Sequence, residues 1–137
     1  MGYRILSHTA DTGIEATADS LATLIEEVMR AMFGLVASLD SGAAERWIDF
    51  SVEAATAEDL LVDTLSELLY RSEVDDLVFC DYRVRVDEGR FNADVEAGGV
   101  PTPAVESEGP PIKAVTYHGL VAEQRDGGWF ARVYFDV

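Results

Sequence analysis

The stretch from residue 20 to residue 36 constrains the fold most. Leu21, Leu24, Ile25, Val28, Met29, Met32 and Phe33 recur at i, i+3, i+4 and i+7, so one face of a helix is apolar along its length. Asp19 or Ser20 can cap its start. An apolar face that wide cannot stay in water, so the chain must also supply a surface that covers it. The methionines in the stripe read as core filler rather than as a cofactor box.

Strands are the natural cover. Tyr3–Leu6 and Ile14–Ala18 read as strands, separated by the turn chemistry of Ser7-His8-Thr9-Ala10-Asp11-Thr12-Gly13. Residues 37–46 form a connector containing Ser41-Gly42. Trp47–Ala54 alternates, with Ile48 as the exception, and predicts a further strand. Thr56-Ala57-Glu58-Asp59 is a capping box with Asp in place of Glu or Gln, and it opens a second helix over 57–71. Leu61, Leu65 and Leu68 form its stripe, broadened by Leu60, Thr64 and Leu69. Asp63 and Glu67, one turn apart off the centre of that stripe, could share a cation; the plainer reading is a solvated face.

After an acidic turn at Glu73-Val74-Asp75-Asp76, the strands Val78–Val86 and Phe91–Val95 flank the hairpin turn Asp87-Glu88-Gly89-Arg90. All four prolines fall in residues 98–111, which predict a loop within the domain. Ile112–Tyr117, Leu120–Gln124 and Trp129–Val137 are the last strands, with a hairpin at Asp126-Gly127-Gly128. The order β-β-α-β-α followed by strands shows neither a βαβ repeat nor an internal one. It predicts a single-domain α+β fold over residues 1–137, with two helices packed on a mainly antiparallel β-sheet.

Composition narrows the function. Ten Lys and Arg stand against twenty-six Asp and Glu, a net charge of −16. That argues against unaided nucleic-acid binding and against an anionic membrane surface. It leaves cations, small molecules and basic protein surfaces as partners. With 48% hydrophobic residues the chain is no disordered acidic tail. Cys80 is the only cysteine, so no intrachain disulfide forms; in Leu77-Val78-Phe79-Cys80 it reads as a small buried hydrophobe. Met1-Gly2-Tyr3-Arg4 leads into no signal-like segment and no stretch approaches the ~20 residues of a membrane span, so a reducing cytoplasm is expected.

No Cys-x-x-Cys pair, P-loop, Gly-x-Gly-x-x-Gly or Gly-x-Ser-x-Gly elbow is present. Three short places stand out against that blank. His8-Thr9-Ala10-Asp11 follows the first strand; its plain alternative is a turn aspartate and a strand-end histidine. Lys113-Ala114-Val115-Thr116-Tyr117-His118 reads as a strand carrying the only lysine of the chain, and an edge strand guarded by lysine is its plain alternative. Asp136 sits in the apolar last strand, where alternation from Val133 and Phe135 also allows simple exposure. Brought together, Asp11 and Asp136 would offer hard oxygens to Mg²⁺, Mn²⁺ or Ca²⁺. Lys113 could then balance charge or contact a phosphate. Zinc suits this set less well, since its structural sites use four nitrogen or sulfur ligands.

These segments resemble the archease family. His-Thr-Ala-Asp, a helix ending in Ala-Met-Phe-Gly, Leu61-Val62-Asp63 running into Ser66-Glu67-Leu68-Leu69-Tyr70, Lys113–His118 and Asp136-Val137 occur in the family's order over nearly the whole chain. The resemblance implies an accessory protein, not an enzyme, whose partner is the GTP-dependent RNA-splicing ligase. It would promote guanylylation of that ligase and multiple turnover, without binding nucleic acid or membrane itself. It also implies a divalent metal ion, calcium first and magnesium or manganese otherwise, at Asp11 and Asp136, with His8, Lys113 and His118 as neighbours. The alternative role is a chaperone or modulator of an RNA-modifying enzyme such as a tRNA methyltransferase. The chain departs from the family pattern at Thr64, where an aromatic is common, and between Glu96 and Pro110.

Overall fold

A computed structural model describes residues 1–7 and 12–137. In chain order the elements are β1 (Gly2–Ser7), β2 (Thr12–Ala18), α1 (Leu21–Gly34), β3 (Arg46–Glu53), α2 (Ala57–Asp75), β4 (Leu77–Asp87) and β5 (Asn92–Pro101). A 3-10 turn at Thr102–Ala104, β6 (Ala114–Arg125) and β7 (Gly128–Asp136) complete it. The two-helix α+β class is as expected, but the antiparallel strands form two sheets instead of one, β1-β2-β7-β6 and β3-β5-β4.

Ser20, not Asp19, caps α1, its hydroxyl accepting from the Thr23 amide at 3.1 Å. The helix ends two residues before the expected position 36, because the Leu35 amide turns to the Met32 carbonyl and tightens the last turn. All seven residues of the apolar stripe are buried. Thr56 caps α2 at the Asp59 amide, 3.1 Å away. This helix runs on to Asp75, through most of the expected acidic turn. Arg71 pairs with Asp75 one turn on, at 3.0 Å, and the chain leaves the helix only at Asp76, with φ 56°.

The largest departure is in β5. Gly98 and Gly99, expected in a loop, belong to the central strand of the second sheet. A Cβ on Gly98 would lie 2.6 Å from the Trp47 ring, and one on Gly99 2.6 Å from the Val78 carbonyl oxygen. Glycine is present because neighbours close over the backbone, not because the chain turns. Phe91, expected at the start of the strand, lies instead in the preceding turn with φ 53°. The two strands expected at Ile112–Tyr117 and Leu120–Gln124 are one edge strand, β6, whose pairing with β7 is interrupted between Thr116 and Val121. Gly119 supplies the left-handed conformation there, φ 63°.

Both helices and both sheets close on one core, in which Leu24, Met32, Leu61, Leu65, Phe79 and Phe135 are almost wholly buried. Phe33 meets Phe79 edge-on, centroids 5.5 Å apart. Cys80 is buried as expected, and burial, with Asp81 beside it, pushes its thiol pKa up. Among the described residues no helix is long and apolar enough to cross a membrane.

Candidate functional site

Four strands reach one end of the first sheet together. Ser7 pairs with Thr12, Thr12 with Phe135, and Phe135 with Val115. One step beyond, Ala114 pairs with Asp136, and the Lys113 amide donates to the Asp136 carbonyl at 2.7 Å. This last rung joins two of the segments singled out in the sequence. Lys113 stands just before β6 rather than on it, and β6 is the sheet edge its plain alternative called for.

Asp136 is exposed, on the side of β7 opposite the buried Val133 and Phe135, as alternation allowed. Lys113 is exposed too. Neither side chain has a hydrogen-bond or ion-pair partner among the described residues. His118 lies in the interrupted part of β6, exposed, its ring 6.0 Å from that of Tyr134 and tilted by 57°. It joins Tyr134, and among the described residues nothing bonds it to Asp136. His8 and Asp11 lie outside the described residues; the strands on either side of their motif end at this row.

The donor chemistry suits a hard cation in part. Asp136 offers a carboxylate that is uncommitted among the described residues, which fits Ca²⁺, Mg²⁺ or Mn²⁺. Among the described residues no group of three His, Cys, Asp or Glu side chains could hold an ion. A full ligand set therefore needs oxygens beyond them.

Two features were not visible in the sequence. Tyr117 donates to Asp59 of α2 at 2.8 Å, tying the interrupted edge strand to the helix start. That bond raises the phenol pKa, with desolvation and the Asp63 charge adding to it. Glu15 accepts from both Arg4 and Arg132, which hold its carboxyl below the ordinary range against the effect of burial. Such pairings depend on strand register, which no local pattern encodes.

The model of the Archease protein family matches residues 3–137. The chain belongs to the archease family. The archease of Methanosarcina acetivorans is 36% identical, covering 98% of this chain and 95% of its own. That of Methanopyrus kandleri is 31% identical over the whole of both chains. In fold, the chain is similar to the solution structure of Methanobacterium thermoautotrophicum protein 1598, with TM-score 0.79, 24% identity and 99% of each chain covered. It is also similar to the crystal structure of an archease, possible chaperone, from Thermotoga maritima, with TM-score 0.67, 22% identity, and 98% and 96% of the chains covered. Lys113 and Asp136 thus meet at the sheet end where the strands flanking His8–Asp11 stop.

Proposed function

We propose that the chain is a non-enzymatic accessory activator of the GTP-dependent RNA-splicing ligase. It promotes guanylylation and multiple turnover of that ligase through a divalent cation held at Asp11 and Asp136. The observation that carries this reading is the final rung of the sheet. The Lys113 amide is bonded to the Asp136 carbonyl one step from the Thr12–Phe135 pair, and Asp11 is the residue bonded to Thr12. When bound, the cation, calcium or otherwise magnesium or manganese, supplies positive charge where a triphosphate needs neutralising. Asp136 and Asp11 contribute the hard oxygens. Lys113 balances their charge or meets a phosphate as a compact point charge, with His8 and His118 as neighbours. The net charge of −16 fits this role, because the chain need not touch RNA or membrane to act on a ligase.

The test is the rate at which the purified ligase takes up labelled guanylate, with and without the chain. The wild type should raise the rate, and Asp11→Ala and Asp136→Ala should each abolish the gain. Lys113→Arg separates geometry from charge. Variants that stimulate like the wild type would overturn the metal mechanism, and a wild type without effect would overturn the ligase reading. Affinity capture separates this role from that of a chaperone or modulator of an RNA-modifying enzyme such as a tRNA methyltransferase; the Thermotoga maritima archease is described as a possible chaperone.

A further inference from the structure

The two sheets treat charge differently on their outer faces. On β1-β2-β7-β6, Arg4, Arg125 and Arg132 stand against Glu15, Glu123 and Asp136, so that face is neutral. Its arginines are also spent, Arg4 and Arg132 on Glu15 and Arg125 on Glu123. On β3-β5-β4, register builds rows across the three strands. Trp47, Gly98 and Asp81 form the first, and Asp49, Glu96 and Arg83 the second. Ser51, Asp94 and Arg85 form the third, and Glu53, Asn92 and Asp87 the last. The core lies behind this face, where Val84, Ala93, Val95 and Ala97 are buried. Six carboxylates against two arginines leave the rows at −4. The flanking Glu45 and Arg46, and Glu88 and Arg90 of the hairpin turn, cancel among themselves.

None of the charged side chains in these rows forms an ion pair among the described residues. Arg83 lies opposite Glu96, yet its guanidinium rests 4.8 Å from the Trp47 ring centroid. Asp81 accepts from Ser41 and the Gly42 amide, Asp94 from Ser51 at 2.6 Å, and Asp87 from the Gly89 amide at 3.0 Å. The carboxylates of Asp49, Glu53 and Glu96 are left with no partner among the described residues. Asp49 and Glu96 also face each other directly, a like-charge pair that costs the sheet stability. Beside them is a hollow of about 320 Å³ lined by Asp49, Ser51, Asp94 and Glu96. Past Ser51 and Asp94 it continues into a second, of about 600 Å³, bordered by Glu53 and Asp87. Trp47, one row from Asp49, is 42% exposed.

We propose that the outer face of β3-β5-β4 docks a basic segment of a partner protein. Its arginine or lysine heads meet the Asp49–Glu96 pair and Glu53, and an aliphatic side chain packs on the exposed part of Trp47. A cation between Asp49 and Glu96 turns their repulsion into attraction, and guanidinium matches carboxylate two bonds at a time. Successive rows lie about 7 Å apart, the spacing of alternate side chains on an extended segment. Other occupants fit less well. Among the described residues no group of three His, Cys, Asp or Glu could hold a metal ion. A nucleic acid and a second copy of this chain, at −16, both bring charge of the same sign. The proposal stands on this face alone and not on the cation reading.

The probe is a short fluorescein-labelled peptide of alternating Arg and Ser around a central Leu, titrated with the full chain and followed by anisotropy. Saturable binding that weakens with salt is expected. Asp49→Asn with Glu96→Gln should weaken it about tenfold. Glu106→Gln with Asp126→Asn, which removes the same charge from exposed positions elsewhere, should leave it unchanged. The first pair of changes relieves a repulsion, so that variant should melt no lower than the wild type; should it melt lower, Glu53→Gln alone carries the test, with a loss of about threefold expected. No saturable binding, or an equal loss in the Glu106 and Asp126 variant, would overturn the proposal, the latter because bulk charge alone would then explain the attraction. So would tighter binding of oligouridylate or of a labelled second copy of the chain.

Discussion

Glu15 shows how much a single carboxylate can depend on its neighbours. Arg4 foremost, then Arg132, lower its pKa from the ordinary 4.5, and partial burial works against them. A group whose folded pKa is depressed adds stability above its unfolded pKa and loses it as pH falls through the folded value. Wild type should therefore melt above Glu15→Gln at neutral pH, and the gap should close as pH drops below 4.5. Melting curves by circular dichroism over that range check it, and a gap independent of pH would refute the clamp. Thr64 presents the opposite case. It is fully buried on α2, and its hydroxyl has no partner among the described residues. An unpaired buried hydroxyl costs stability that its replacement by a methyl returns, so Thr64→Val should gain about 1 kcal/mol in urea unfolding. The sequence placed Thr64 on the apolar stripe and so foretold its burial. It could not foretell the missing partner, since a helical threonine usually bonds back to the preceding turn.

At the scale of elements, periodicity was legible and punctuation misled. The α1 stripe and both caps stand out because they are local. Gly98-Gly99 and Pro101 look like a loop, yet they extend β5, and the reason lies far along the chain in Trp47 and Val78. The end of α2 was missed for a similar reason, as the acidic run that suggests a turn is held in the helix by Arg71. The β5 explanation makes a prediction. Gly99→Ala lowers the entropy of the unfolded chain, which by itself stabilises by about 0.4–1 kcal/mol. Against that, its Cβ would meet the Val78 carbonyl oxygen at 2.6 Å, and backbone inside a paired strand cannot easily yield. The clash should win, with a net loss of about 2 kcal/mol in urea unfolding and an unchanged slope. A neutral or stabilising result would mean that β4 gives way there.

At the scale of the molecule, the candidate site was legible as parts and not as an assembly. Lys113 and Asp136 stood out by type and position, but the bond between their backbones follows from the order β1-β2-β7-β6, which no spacing reveals. Charge acts at this scale too. Twenty-six acidic residues face ten basic ones, so most carboxylates repel one another across the surface. Repulsion of this kind opposes compactness, and salt screens it, the Debye length falling from about 30 Å at 0.01 M to about 3 Å at 1 M. Sodium chloride should therefore raise the melting temperature, by roughly 3–5 °C for each kcal/mol of repulsion relieved. A fall would mean that the arginine pairs outweigh the repulsion. The same experiment isolates the cation. At matched ionic strength, screening by calcium chloride and sodium chloride is nearly alike, and any further rise with calcium reports an ion bound to the folded chain. Binding at a hundred times its dissociation constant adds about 2.7 kcal/mol. Asp136→Ala should keep the sodium response and lose the calcium excess, whereas an excess that survives the substitution would move the cation away from this end of the sheet.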